Sequence, residues 1–156
     1  MKNSVTETFN IDVPIFAFSH CRDVVAAVSK AGGFGVLGAV GHSPDALEID
    51  LKWIEDEVGE HPYGVDLIVP AKYEGSDEGG LTVHKIADMI PNEHHEYVTQ
   101  ILEKYDVPEL AETKSGQFSM KSDGAAPMSA GTAGPQLEIA LAHNPSLVVN
   151  ALGPPP

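Results

Sequence analysis

Apolar residues in this chain gather in four short runs: Pro14 to Phe18, Phe34 to Val40, Tyr63 to Val69 and Ser146 to Leu152. Each run is nearly continuous rather than alternating, the pattern of strands buried on both faces of a parallel sheet. Helical spacing separates them. Residues 22–31 (RDVVAAVSKA) are rich in Ala and Val and stop at Gly32-Gly33, a glycine C-terminal stop. Ser43 is placed to cap a second helix, with Pro44 in its first turn, where a missing N–H costs nothing. Leu47, Leu51, Ile54 and Val58 then recur at helical spacing and Gly59 ends the element, while Glu48, Lys52, Glu55 and Asp56 make its solvated face.

Beyond the third run the rhythm breaks. Residues 71–91 predict an acidic, Gly-containing loop and a helical turn around Ile86. Asn92 is then expected to cap a helix whose Val98, Ile101, Leu102 and Tyr105 share a face. Residues 111–134 are a long polar stretch, expected to be a mobile insertion or lid. Pro135 is expected to open a last helix with Leu137, Ala140 and Leu141 on one face, closed by Asn144-Pro145. Strand-helix alternation of this kind implies right-handed crossovers and a parallel sheet. Two closures satisfy it: an open doubly wound sheet, or part of an eightfold barrel. The sequence stops at Gly153-Pro154-Pro155-Pro156, directly after a strand, which is the expectation for an interrupted domain.

The length of 156 residues suits one domain, and 42% hydrophobic content is enough for a core. Nine Lys+Arg against 23 Asp+Glu give a net charge of −14, which argues against nucleic acid and anionic membranes as partners. A single cysteine, Cys21, rules out an internal disulfide and gives no support for a thiolate zinc site. Met1 to Asn10 is polar, without the apolar core of a signal peptide, and no apolar run approaches the length needed to span a bilayer. A reduced, cytoplasmic protein is the resulting expectation.

Several motifs weaken when their context is read. Gly33-Phe34-Gly35-Val36-Leu37-Gly38 matches G-x-G-x-x-G, but it follows a helix and runs into a strand, the reverse of a dinucleotide loop. Close packing of the strand, and backbone approach to a flat ligand, explain those glycines better. His95-Glu96-Tyr97-Val98-Thr99 begins like a zinc-protease motif but lacks the second His, so no metal is expected. Cys21 stands at a strand-helix junction without a base partner in sequence, and reads as an inert thiol. Asp66 and Asn150 are different: each interrupts a buried strand, where an unpaired polar group is costly. Near the C-terminal halves of parallel strands they occupy the region where such folds bind ligands. Ser19, His20 and His42 fall on the same rim.

Taken together, P-I-F-A-F-S at 14–19, D-V-V-A-A-V-S-K-A-G-G-F-G-V-L-G-A at 23–39, S-P-D-A-L at 43–47 and P-Y-G-V-D-L-I-V-P at 62–70 resemble the nitronate monooxygenase family, with a looser match at 148–155. The resemblance implies a parallel (β/α)8 TIM-type barrel of which residues 1–156 supply about the first four strands. It also implies FMN at the C-terminal mouth and oxidation of a small alkyl nitronate or nitroalkane with O2. Carried over residue by residue, the backbone of Ala17, Phe18 and Ser19 meets the flavin, with Gly38, Asp66 and Asn150 completing the cofactor site. Asp66 stands where the family carries Asn, and Phe18 where Met is common. The family's catalytic His, in A-G-G-H, and its glycine loops for the FMN phosphate have no counterpart in this sequence. The expectation is therefore an N-terminal half-barrel that holds FMN weakly and self-associates through open sheet edges. A flavin-type enoyl-acyl-carrier reductase, or an inactive half-barrel, are the alternatives.

Overall fold

A computed structural model describes residues 2–70, 77, 80–108 and 128–152. The elements run α1 (Ser4–Phe9), β1 (Phe16–Ser19), α2 (Arg22–Lys30), β2 (Phe34–Gly38), α3 (Pro44–Val58), β3 (Tyr63–Leu67), α4 (Val83–Asp88), α5 (Asn92–Lys104), α6 (Ala130–Ala142) and β4 (Leu147–Asn150). The four strands form one sheet in the order β1-β2-β3-β4, every pair parallel. A doubly wound sheet reverses its strand order partway across. Sequential order without reversal is instead the winding of a (β/α)8 barrel, here its first four strands. No helix among the described residues is long and apolar enough to cross a membrane.

The sheet has two unequal faces. Leu37, Tyr63, Val65 and Leu67 point towards the helices and pack with Val25 and Ala26 of α2, Ala140 of α6, and the α3 stripe Leu47, Leu51, Ile54 and Val58. That stripe, the Ser43 cap onto the Ala46 amide and the Pro44 start all match the sequence pattern. Gly59 ends α3 with φ +59°, a value a side chain disfavours. On the opposite, concave face Phe34 and Val36 pack with Ile11, Phe9, Leu147 and Val149. Phe9 reaches this face from α1, standing edge-on to Phe16 and Phe34 at 5.0 and 5.4 Å between ring centroids. The rings therefore close the N-terminal end of the concave face.

Several expectations need correction. Burial on both faces holds for β2 and β3 but not for the outer strands, where Phe16 and Phe18 are 42% and 56% exposed and Val148 is 37% exposed. These strands have a neighbour on one side only among the described residues. Helix α1 was not legible, because it is too short for an apolar stripe; its Asn3–Thr6 capping box holds it. Pro91, not Asn92, occupies the cap position of α5, and that helix's apolar residues Val98, Ile101, Leu102 and Tyr105 are all exposed. Helix α6 begins at Ala130 behind a Ser129–Thr132 capping box, so Pro135 lies inside it rather than opening it, and the polar stretch overlaps a helix over 130–134. Leu141 is exposed; Ala133, Gln136 and Ala140 take the inner positions. The remainder of that stretch lies outside the described residues up to 127, as does most of the acidic loop.

Candidate functional site at the C-terminal edge of the sheet

In a parallel sheet side chains alternate faces, so register decides which residues meet. Phe18 pairs with Val36, Gly38 with Asp66, and Asp66 with Val149. Val36 and Val149 belong to the concave-face cluster. Phe18, Gly38 and Asp66 therefore share that face at its C-terminal end, which the rings of the opposite end do not reach. A Cβ on Gly38 would overlap the Phe18 ring and lie 2.7 Å from His20 Nδ1, so glycine is what lets these two side chains lie over β2.

The polar groups here are incompletely paired. His20 Nδ1 sits 2.9 Å from the Gly38 carbonyl oxygen, and its ring stands edge-on to Phe18 at 5.0 Å. Asp66 Oδ1 is buried and has no hydrogen-bond partner. Burial raises the pKa of the Asp66 carboxyl above its ordinary 3.8, while the nearby His20 pulls it back down. Ser19 Oγ accepts from the Cys21 amide at 3.0 Å and so turns the chain from β1 into α2. Along β1, Ala17 pairs with Gly35, Phe18 with Val36 and Ser19 with Leu37, one position short of Gly38.

Asn150 is not brought to this cluster. It pairs with Leu67, which faces the helices, so its side chain lies on the other side of the sheet from Asp66. Its amide accepts from Val69 N at 3.0 Å and donates to Val69 O at 3.2 Å, fixing the segment that leaves β3. His42 also turns away from the mouth: its Nε2 lies 3.0 Å from Asp50 Oδ2, and Asp50 Oδ1 takes Arg22 at 2.8 Å. The Arg22 guanidinium in turn covers the Trp53 ring at 4.6 Å. Sequence reading missed this Arg22–Asp50–His42 chain: Arg22 lies 28 residues from Asp50, and His42 lies eight residues from it, outside helical spacing.

It also missed Gln136. Buried in α6, its Nε2 donates to the carbonyl oxygens of His42 and Ala39 at 2.8 and 3.1 Å, with Val40 O at 3.4 Å. One amide thus holds the turn that leaves β2. The available signal was Gln136 one turn before Ala140, on the helix side that the sequence pattern reads as apolar.

Strand order and the placement of the unpaired groups define a β/α-barrel chain with its open chemistry at the C-terminal mouth. Comparison with known proteins makes this specific. The nitronate monooxygenase family model matches residues 2–101, and the chain belongs to that family. A Mycobacterium tuberculosis protein, provisionally named a monooxygenase, is 45% identical over all 156 residues, which is 40% of its own length. Proteins named as nitronate monooxygenases in Staphylococcus saprophyticus and Staphylococcus haemolyticus are 37% and 32% identical over 75 and 80 residues. Those matches take in 46% and 49% of this chain but 21% and 22% of the relatives. The chain thus spans less than half the length of each of these relatives.

Proposed function

We propose that this chain forms part of an FMN-dependent oxidoreductase that oxidises alkyl nitronates with O2, and that residues 1–156 act as one half-barrel unit holding the ring end of the cofactor. Family membership favours this over an enoyl reductase. The observation that carries the flavin placement is Asp66: a buried carboxylate oxygen with no partner, beside an exposed aromatic ring and a glycine-cleared strand end. A carboxylate accepts hydrogen bonds, so Asp66 suits an imide N–H such as the flavin ring carries. Phe18 offers an apolar ring to one side, and the backbone of Ala17, Phe18, Ser19 and Gly38 permits close approach. Asn150 supports the site from behind by fixing Val69. Bound flavin would supply the electron acceptor for the nitronate and pass the electrons on to O2. The residues named here bind and orient; the nine cations are scattered along the sequence, and this reading leaves the phosphate to parts outside the described edge.

The test is a fluorescence titration of the chain with FMN and with riboflavin. Asp66→Asn retains an acceptor oxygen and is expected to keep the affinity for both within a few-fold. Asp66→Leu removes it and should weaken both by about tenfold or more, as a lost buried hydrogen bond implies. Equal binding by wild type and Asp66→Leu would remove Asp66 from the flavin site.

A further inference from the structure

One peptide, joining Gly38 to Ala39 where β2 ends, ties three strands together at the mouth. Its carbonyl oxygen accepts from His20 Nδ1 at 2.9 Å on the β1 side. Its N–H, that of Ala39, donates to the Asp66 carbonyl oxygen at 2.9 Å on the β3 side. The peptide is planar, so a rotation that shifts one of these ends shifts the other. The turn that follows is held from behind the sheet. Gln136 Nε2 reaches the Ala39 carbonyl at 3.1 Å and the His42 carbonyl at 2.8 Å, and the His42 amide closes onto the Ala39 carbonyl at 2.9 Å. Gln136 is 3% exposed and Ala39 is fully buried, which leaves water no access to replace that amide. Among the described residues no other donor reaches the His42 carbonyl.

We propose, resting on the flavin placement above, that Gln136 is a positioning residue for the mouth: by fixing the turn 39–42 it sets where Asp66 stands against a bound flavin ring, without touching that ring. Helix α6 lies in the helix layer, with Ala140 and Leu137 in the core behind the sheet, so Gln136 acts through the backbone alone. Deprived of Nε2, the His42 carbonyl is left without a donor, and an unmade hydrogen bond at a partly buried group is costly. The turn relieves that cost by rotating the carbonyl towards water. Ala39 follows, because the His42 amide is bonded to it, and the Ala39 N–H is drawn off the Asp66 carbonyl. A binding group serves only when its support holds it to within about 0.5 Å, so the change is felt as lost affinity.

A double-mutant cycle on riboflavin affinity tests this, read by fluorescence titration below the melting temperature of every variant. Gln136→Met keeps the length and bulk of the side chain and removes the donor. It is expected to weaken riboflavin binding by about tenfold, the worth of the Asp66 hydrogen bond. In the Asp66→Leu background the same substitution should change affinity by no more than about twofold, because the bond it would disturb is already gone. A residue serving the fold alone would give the same factor in both backgrounds, and that result, or no weakening in either, would overturn the proposal. Should Gln136→Met fail to fold, Gln136→Asn carries the same cycle, since it keeps the amide and withdraws it by one methylene. Hydrogen exchange in the unliganded chain gives a reading free of flavin. The Ala39 amide should exchange faster in the variant, and exchange as slow as in wild type would also overturn the proposal. Absent or Asp66-independent riboflavin binding would discard the flavin placement and this inference with it. Binding that falls in Asp66→Leu but not in the Gln136 variant would discard the inference alone.

Discussion

Substituting Gly35 by alanine tests whether the glycines of the G-x-G-x-x-G run serve packing. Gly35 lies mid-strand in β2, fully buried beneath α2. A Cβ there would overlap the carbonyl oxygen of Val25 and come within 2.8 and 2.9 Å of that residue's carbonyl carbon and Cα. Carbon contacts settle near 3.5–4.0 Å, so α2 must retreat by roughly 1 Å. Helix backbone cannot rotate aside as a side chain would. The retreat also pulls on Ser29, whose Oγ accepts from Gly35 N at 3.1 Å and donates to Pro62 O at 2.8 Å, tying α2, β2 and the start of β3 together. Overpacking costs about 1–3 kcal/mol. Each weakened buried hydrogen bond adds roughly 1 kcal/mol, while the loss of glycine entropy in the unfolded chain gives back about 0.4–1 kcal/mol.

The expected loss is therefore roughly 3 kcal/mol, or a melting temperature lower by about 6–12 °C for a domain of this size. Urea unfolding followed by circular dichroism measures it, with an unchanged slope confirming that the same surface unfolds. Gly59→Ala is the internal control. No atom lies within 4 Å of its new Cβ, so that substitution strains only the backbone, at φ +59° and ψ −118°, for roughly 1–3 kcal/mol. A Gly35→Ala loss below about 1 kcal/mol would refute the packing account.

Two further substitutions probe α6. His143 has Nε2 3.0 Å from Glu48 and Nδ1 3.0 Å from Glu55, and a ring donating from both nitrogens must be an imidazolium. Burial works against that charge, but the two carboxylates outweigh it and raise the pKa above its ordinary 6.5. A raised histidine pKa stabilises the fold fully below 6.5 and loses that contribution as pH rises through the folded value; the melting temperature of wild type should fall over that interval, and that of His143→Gln should stay flatter. Gln136→Leu leaves the carbonyls of Ala39 and His42 without their donor and should cost about 1–3 kcal/mol, read by urea unfolding, with faster hydrogen exchange at the His42 amide.

What the sequence made legible follows from how local each signal is. The α3 cap, stripe and stop lie within one continuous segment, and each matches the structure. The central strands were legible for the same reason: burial on both faces leaves a continuous apolar run. The outer strands carry equally apolar runs, yet Phe16 and Phe18 are exposed, because exposure depends on what lies alongside and not on the run itself. At the site, Asp66 was legible as a polar break in an apolar strand. Asn150 gives the same local signal, but register puts it on the other face, and only pairing across the sheet reveals that. Gln136 reaches carbonyls 94 and 97 residues away and Arg22 reaches Asp50 across 28, separations for which no spacing rule exists.

The two ends of the concave face show what the unpaired groups at the mouth signify. At the N-terminal end, three phenylalanine rings stand within 4.9 to 5.4 Å of one another, with Phe34 fully buried among them. At the C-terminal end, Phe18 is open to solvent and Asp66 holds a buried oxygen that no donor reaches. Leaving such an atom unsatisfied costs about 1–3 kcal/mol in the free protein. An apolar residue at position 66 would avoid that cost, so if Asp66 served only the fold it would be a poor choice. The two roles separate experimentally, because Asp66→Leu should weaken flavin binding while leaving the unliganded chain as stable as wild type or more so. A residue that structure alone needed would lose both together. Stability given up at one position, and recovered only when a donor arrives, is the mark of a binding atom.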